Sequence, residues 1–454
     1  MTKKNILILH SDQFRFDAMS CAGNVFMRTP HLDKFAEQGT RFTNAYTLWP
    51  LCTPSRAATW TGQYPHNNGI TYNIVYGNFE EADAMDAVPN DNTTFFEHLQ
   101  RAGYHTGYVG KWHLGFKTPR YFDHWGGFNS TGSHWVDGLQ AHQGGRWLPE
   151  VQAEEGIDFM RRAKDGDKPF CLTVSWYPPH DPYTAPREFM DEYWEKRIPG
   201  SGYYACCAGI DRCVGQMLDG LKELELEDNT LVVFLADHGE TFCFRDGVIG
   251  NKLVCHDESI RIPFIIRHPE GIGRGMVADQ PVGVHDLAPT LLSYAGVELP
   301  NNLDGSDLGR LMRSDTEGWR DTIYVENQTS PMQRYATGGR IALIPPTYQR
   351  CLRTSEWKLV LSENGLHSLF DLKNDPEELL DIYGAPYDEY YEQYKNYPPM
   401  DEKIRELAGQ LREEARKVND GLGIRLAEDV LENPIRRPEI EDLPNVTTTE
   451  MWPY

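Results

Sequence analysis

Four short strand-like runs in this 454-residue chain are each followed by a cluster of charged, amide or imidazole side chains. Residues 5–9 lead to Asp12-Gln13, residues 105–109 to Lys111-Trp112-His113, residues 170–175 to His180, and residues 231–236 to Asp237-His238. Short β-rich runs separated by helical stretches read as buried strands of a largely parallel sheet with crossover helices. In open sheets of that kind, ligands bind beyond the carboxyl ends of the strands. Four strands would then deliver acids, an amide, imidazoles and an ammonium to one edge. One Asp after a strand can be a helix cap. The two dipeptides together favour a divalent cation held by Asp12, Gln13, Asp237 and His238. Ca²⁺ comes first and Mg²⁺ or Mn²⁺ next, because the donors are mostly hard oxygens.

The alternation continues to about residue 320 and predicts an α/β domain over residues 1–320. Its large mixed, mostly parallel sheet is flanked by helices. Helices are expected at 30–38, 93–102, 204–224 and 286–295, with Pro30 opening the first and Gly39, Gly103 and Gly296 closing three of them. Residues 321–454 read as a smaller α+β subdomain. Residues 351–361 and 366–372 look like antiparallel strands, 401–418 like an amphipathic helix, and the last twenty or so residues like an extended tail. The run 6–9 is too short for a membrane span and lacks the features of a signal peptide. Nine scattered cysteines suit a reducing compartment, so a cytoplasmic location is expected. A formal net charge of −23 argues against nucleic acid or an anionic membrane as partner. It also requires any anion-binding site to make its own positive field.

Residues 51–62 read Leu-Cys-Thr-Pro-Ser-Arg-Ala-Ala-Thr-Trp-Thr-Gly. Pro54 suits a first helical turn and puts Cys52 at a helix N-terminus, where backbone N–H groups favour anions and acidify a thiol. Cys52-Thr53-Pro54-Ser55-Arg56 with Thr61-Gly62 closely resembles the signature of the type I sulfatases of the alkaline phosphatase superfamily. Other segments match in order: Asp12-Gln13; Gly110 to Gly115 around Lys111 and His113; Pro178 to Tyr183 around His180; Asp237 to Glu240; and Lys252 with Asp257 to Pro263. Residues 353–361 and 369–375 resemble that family's C-terminal subdomain.

The resemblance implies an alkaline phosphatase-like fold and a sulfuric ester hydrolase. Cys52 would be oxidised to Cα-formylglycine (3-oxoalanine) by a formylglycine-generating or radical maturation enzyme, and its hydrate would be the nucleophile. The metal set would be Asp12, Gln13, Cys52, Asp237 and His238. Arg56 would hold the hydrate, and His113 would be the base that regenerates the aldehyde. Lys111, His180 and Lys252 would clamp the sulfate, with His180 or Lys252 protonating the leaving oxygen. Asn73 would donate to the ester.

Two departures bear on substrate. Residues 241–251 lack the Gly/His run of many relatives, and the Gln/His metal pair is shared with choline sulfatase-like and phosphonate monoester hydrolase-like proteins. The expected substrate is a small sulfated mono- or oligosaccharide; the alternative is a phosphonate monoester or phosphodiester. Residues 77–90 and 126–146, with Trp125, His134, Trp135, His142 and Arg146, are candidate pocket walls. His66 and His256 read as structural or rim residues, Trp112 as packing, and Cys206-Cys207 as core.

Overall fold

The structure is a computed structural model. It describes residues 4–74, 93–130, 133–136, 145–242, 252–329, 344–383 and 400–435, and the backbone of 334–337, 340–343 and 447–450. Two compact units emerge. The first comprises Met1–Thr47, Leu51–Gly239 and Arg261–Trp319; the second comprises Leu48–Pro50, Glu240–Ile260 and Arg320–Tyr454.

The strands of the first unit are β1 (Asn5–Asp12), β2 (Thr40–Phe42), β3 (Ala45–Tyr46), β4 (His105–Lys111), β5 (His124–Phe128), β6 (Phe170–Pro179), β7 (Thr230–Ala236), β8 (Phe264–Arg267), β9 (Met276–Ala278) and β10 (Val282–Gly283). Eight of them form one sheet in the order β5-β4-β6-β1-β7-β8-β2-β9, and β3 pairs with β10. Within the eight, only β8 runs against its neighbours. Ile6, Leu7, Ile8 and Leu9 of β1 are all fully buried, as a central strand covered on both faces requires. The helices Leu148–Lys164 and Ser201–Glu223 pack on β6. The second of these carries Cys206 and Cys207 fully buried, and begins three residues earlier than expected, after Gly200 turns through a left-handed φ of 75°. The first helix, α1 (Pro30–Gln38), starts on its proline as predicted. The next two expected helices span Phe95–Arg101 and Leu287–Ala295.

The second unit has strands β11 (Ile323–Gln328), β12 (Arg334–Thr337), β13 (Arg340–Leu343), β14 (Tyr348–Arg353), β15 (Trp357–Ser362), β16 (Ser368–Asp371) and β17 (Thr447–Glu450). An antiparallel sheet runs β11-β14-β15-β16, and a second runs β12-β13-β17. The single strand expected over 351–361 is thus a hairpin. The Thr354 hydroxyl accepts the N–H groups of Glu356 and Trp357, which closes a turn without Gly or Asn. The helix Asp401–Lys417 packs on this sheet and on Gly421–Glu432. Part of the expected tail is β17; the rest lies outside the described residues. Among the described residues no helix is long and apolar enough to cross a membrane.

Candidate active site

The sheet order makes β4, β6, β1 and β7 consecutive neighbours, all parallel. Their carboxyl ends therefore lie side by side, and the four polar clusters meet. Ser11 of β1 pairs with Ala236 of β7, so Asp12 and Asp237 follow in register. Gln13 turns the chain at φ 65°. Its N–H donates to Asp237 Oδ1 at 2.9 Å, as does the N–H of His238. The carbonyl of Gln13 accepts from the Tyr203 hydroxyl at 2.7 Å.

Lys111 ends β4 and reaches Asp12 Oδ2 with its Nζ at 2.6 Å. Gly110 before it has φ 99°, and a Cβ there would lie 2.0 Å from the carbonyl oxygen of Ser175. Only glycine lets β4 close on β6 at this point. G110A is expected to cost about 2 kcal/mol or more in strain and to displace Lys111. Thermal melts and activity of the variant check both effects, and a wild-type melt would contradict the strain argument.

Helix α2 (Cys52–Thr61) is buried along its whole length. Its first turn is tied down from three sides. Asn73 Oδ1 accepts the N–H of Thr53 at 2.9 Å, the Thr53 hydroxyl donates to the His113 carbonyl at 2.9 Å, and the Ser55 hydroxyl donates to the Asp237 carbonyl at 2.6 Å. Asn73 thus satisfies one of the open N–H groups in the first turn of α2 through its Oδ1. Cys52 Sγ, 1% exposed as a residue, lies 3.3 Å from His238 Nε2 and 3.7 Å from Asp12 Oδ1. His238 Nδ1 donates to the Gly239 carbonyl at 2.9 Å, which fixes the tautomer and leaves Nε2 a lone pair facing the sulfur.

Arg56 is the hub. Its Nε donates to Asp237 Oδ2 at 3.0 Å and its Nη2 to Asp12 Oδ2 at 2.9 Å; Nη1 donates to the Lys111 carbonyl at 2.6 Å and to Ser175 Oγ at 2.9 Å. All three ionised side chains are fully buried. Burial pushes the Asp12 carboxyl up, but the Lys111 ammonium and the Arg56 guanidinium override it and hold the group well below the usual carboxylate range. Asp237 goes the other way, pushed up to about 6 by burial and by its neighbour Asp12. The dry cluster is therefore short of positive charge at Asp237. Ligand atoms of Asp12, Cys52, Asp237 and His238 lie within 4.8 Å of one another. Two carboxylates, an imidazole and a group at position 52 around an electron-rich point fit a divalent cation.

His113 sits at φ 58°, and its Nε2 lies 3.3 Å from the Ile74 carbonyl. Its ring also meets the Cys52 side chain, with which it is hydrogen-bonded. Burial, and then the Lys111 charge, lower its pKa, so the imidazole is neutral and able to accept a proton at neutral pH. His180 follows β6 and is half-buried. Its Nδ1 lies 2.9 Å from the Asp181 carbonyl and 3.1 Å from Asp181 Oδ1, which directs Nε2 away from that residue. Lys252 is half-buried and belongs to the second unit.

Sequence reasoning missed Ser175, His10 and Tyr177. Ser175 accepts from Arg56, and His10 pairs with it in register, its Nδ1 3.3 Å from Ser175 Oγ. The available signal was a polar residue near the carboxyl end of each apolar run. Of the candidate walls, Trp125 packs in a cluster with Tyr108, Trp112 and Phe122, so Trp112 is indeed packing. Arg146 pairs with Glu154, both side chains exposed. Residues 77–90 and His142 lie outside the described residues.

The sulfatase family model matches residues 4–297, and the model of the N-sulphoglucosamine sulphohydrolase C-terminal region matches residues 248–407. The chain is 30% identical to the ulvan-active sulfatase of Formosa agariphila, covering 91% of this chain and 82% of that one. It is 26% identical to an N-acetylglucosamine-6-O-sulfatase of Bacteroides thetaiotaomicron, covering 88% of each. The crystal structure of yidJ from Bacteroides fragilis superposes with a TM-score of 0.73 at 27% identity, over 93% of this chain and 98% of that one. Matched by the family model over more than half its length, and folded like a solved relative, the chain belongs to the sulfatase family and is a sulfuric ester hydrolase.

Proposed function

We propose that the protein hydrolyses the sulfate ester of a small carbohydrate, through an aldehyde hydrate formed from Cys52. The observation that carries this reading is the position of Cys52 Sγ: buried at the start of α2, 3.3 Å from His238 Nε2 and beside the Asp12–Arg56–Lys111 cluster. A plain thiol there has nothing to displace its own covalent product. A hydrate does. A separate maturation enzyme with an external two-electron oxidant would convert CH₂–SH to CHO, the sulfur leaving as sulfide, and water would add to give two hydroxyls on one carbon.

Asp12, Gln13, Asp237, His238 and the position-52 side chain would hold a divalent cation, Ca²⁺ first. Such a cation lowers the pKa of a neighbouring hydroxyl. The hydrate would supply the oxygen that attacks sulfur as the S–O bond to the alcohol breaks, its proton passing to solvent. Lys111 and His180 hold the anionic oxygens, and His180 or Lys252 protonates the departing oxygen. His113 would take the proton of the remaining hydroxyl, so that the C=O could re-form as the C–O bond to sulfate breaks. Arg56 orients the hydrate against Asp12 and Asp237. The carbohydrate assignment is supported by the two relatives, one named for ulvan and one for N-acetylglucosamine.

The peptide carrying residue 52 is expected about 18 Da lighter than its thiol form, a covalent change readable by intact mass. With conversion confirmed, sugar sulfates should be turned over at least about a hundred-fold better, in kcat/KM, than aryl phosphonate monoesters. Chelation should abolish turnover and Ca²⁺ restore it. An unmodified residue 52 in active protein would refute the mechanism, and a reversed ester preference would make the phosphonate reading the right one.

A further inference from the structure

The pairing of β1 with β6 is interrupted where the site begins. Ser11 pairs with Trp176, but the next residue, Asp12, pairs with Pro179. Tyr177 and Pro178 are thus extra residues bulged out of β6 opposite the metal-side carboxylate. A bulge beside a site re-aims a side chain that regular pleating would send elsewhere. This one is pinned, since the Ser11 hydroxyl donates to the Pro178 carbonyl at 2.9 Å, and the His180 N–H donates to the Tyr177 carbonyl at 3.2 Å.

The Tyr177 ring is held just as closely. Its hydroxyl lies 3.1 Å from Ser130 Oγ. Phe128 and His134 meet it at steep angles, with centroids 6.3 Å and 5.3 Å away. Two further groups use the ring. The Lys111 ammonium lies 4.4 Å from its centroid, and the His180 imidazole stacks on it at 4.8 Å, tilted by 25°.

Lys111 is fully buried, and among the described residues the carboxylate paired with its Nζ is that of Asp12. An ammonium has three N–H donors, and a buried one with a single oxygen partner on one side swings towards that partner. An aromatic face attracts the cation without consuming a donor. It can therefore hold Lys111 in place while leaving N–H groups for an anion. Among the described residues the His180 Nδ1 contacts are with Asp181, and the same ring fixes the imidazole plane.

We propose that Tyr177 is a positioning residue: one aromatic ring, set by the β6 bulge, that fixes both Lys111 and His180 for the anionic ester. This rests on the reading above, in which those two residues hold the ester's oxygens. Tyr177 itself does not touch the reacting atoms.

The matured holoenzyme tests it. Y177F keeps the ring and should stay within about three-fold of the wild type in kcat/KM. Y177L removes the face and should lose about thirty-fold, with inorganic sulfate bound about ten-fold more weakly. Should Y177L fail to fold, phenylalanine carrying one, two and three fluorines at position 177 decides the matter. Fluorination drains the ring's negative face at almost constant size, so sulfate affinity and kcat/KM should fall stepwise. A flat fluorination series, or wild-type sulfate affinity in folded Y177L, overturns the proposal. Sulfate affinity is read by calorimetry and needs no turnover. Wild-type protein that binds sulfate but hydrolyses no sulfate ester would therefore refute the proposed function and leave Tyr177 to be judged by the series.

Discussion

C52A is expected to fold like the wild type and to lose turnover by about 10⁴-fold or more, the scale seen when a covalent nucleophile is removed. The side chain removed is small and lies at the first residue of α2, while Thr53, Ser55 and Arg56 keep that turn anchored through Asn73, His113 and Asp237. The melting temperature should therefore move by only a degree or two, as a buried methyl-to-methylene-scale deletion allows. Sulfate affinity should be nearly unchanged, because Lys111 and His180 remain. C52S is the sharper comparison. Its hydroxyl can attack an ester but cannot expel sulfate as an aldehyde re-forms, so a single turnover followed by arrest is expected. Sustained multiple turnover by C52S whose residue 52 is confirmed by mass to be unoxidised serine, measured by product release over the first cycles, would show that the aldehyde chemistry is not needed.

R56M is expected to damage the protein itself. Asp12 and Asp237 are fully exposed to each other's charge once the guanidinium is gone, and neither can reach water. Removing one partner of a buried ion network costs about 3–5 kcal/mol, and the melt should fall by several degrees. Turnover should vanish with it. The cause can be separated from simple loss of packing by adding D237N. If uncompensated charge is responsible, R56M/D237N should be more stable than R56M alone, although two residues have changed. A double variant that melts lower than R56M would mean that the guanidinium acts through shape and its bonds to the Lys111 carbonyl and Ser175.

The strand ends were readable because apolar runs and the polar residues that stop them are local features. Asp12, Lys111 and Asp237 could be placed at carboxyl ends without knowing which strand neighbours which. The lateral order could not be read, since hydrophobic period says nothing about pairing partners; only the order β4-β6-β1-β7 turns four separate ends into one cluster. Arg56 as a site residue was legible through the family resemblance alone, and its place between Asp12 and Asp237 was not. Nothing in its local sequence distinguishes a guanidinium shared by two carboxylates from one on the surface. The bulge at Tyr177 escaped for another reason: it depends on register between strands about 165 residues apart. Likewise, the turn at Thr354 is closed by a hydroxyl rather than by the usual glycine.

The pairing of β1 also dictates the order of events on the ribosome. Both of its partners are made much later: β6 begins at Phe170 and β7 at Thr230. At 5–20 residues per second, the apolar run Ile6 to Leu9 waits roughly ten to forty-five seconds for its second neighbour. Until β6 is made, a strand built to be covered on both faces and both edges has no sheet to join. Such non-local pairing slows folding and leaves the nascent chain open to association with other chains. Yield of this protein should therefore respond more to chaperone supply and to the rate of translation than its stability once folded would suggest.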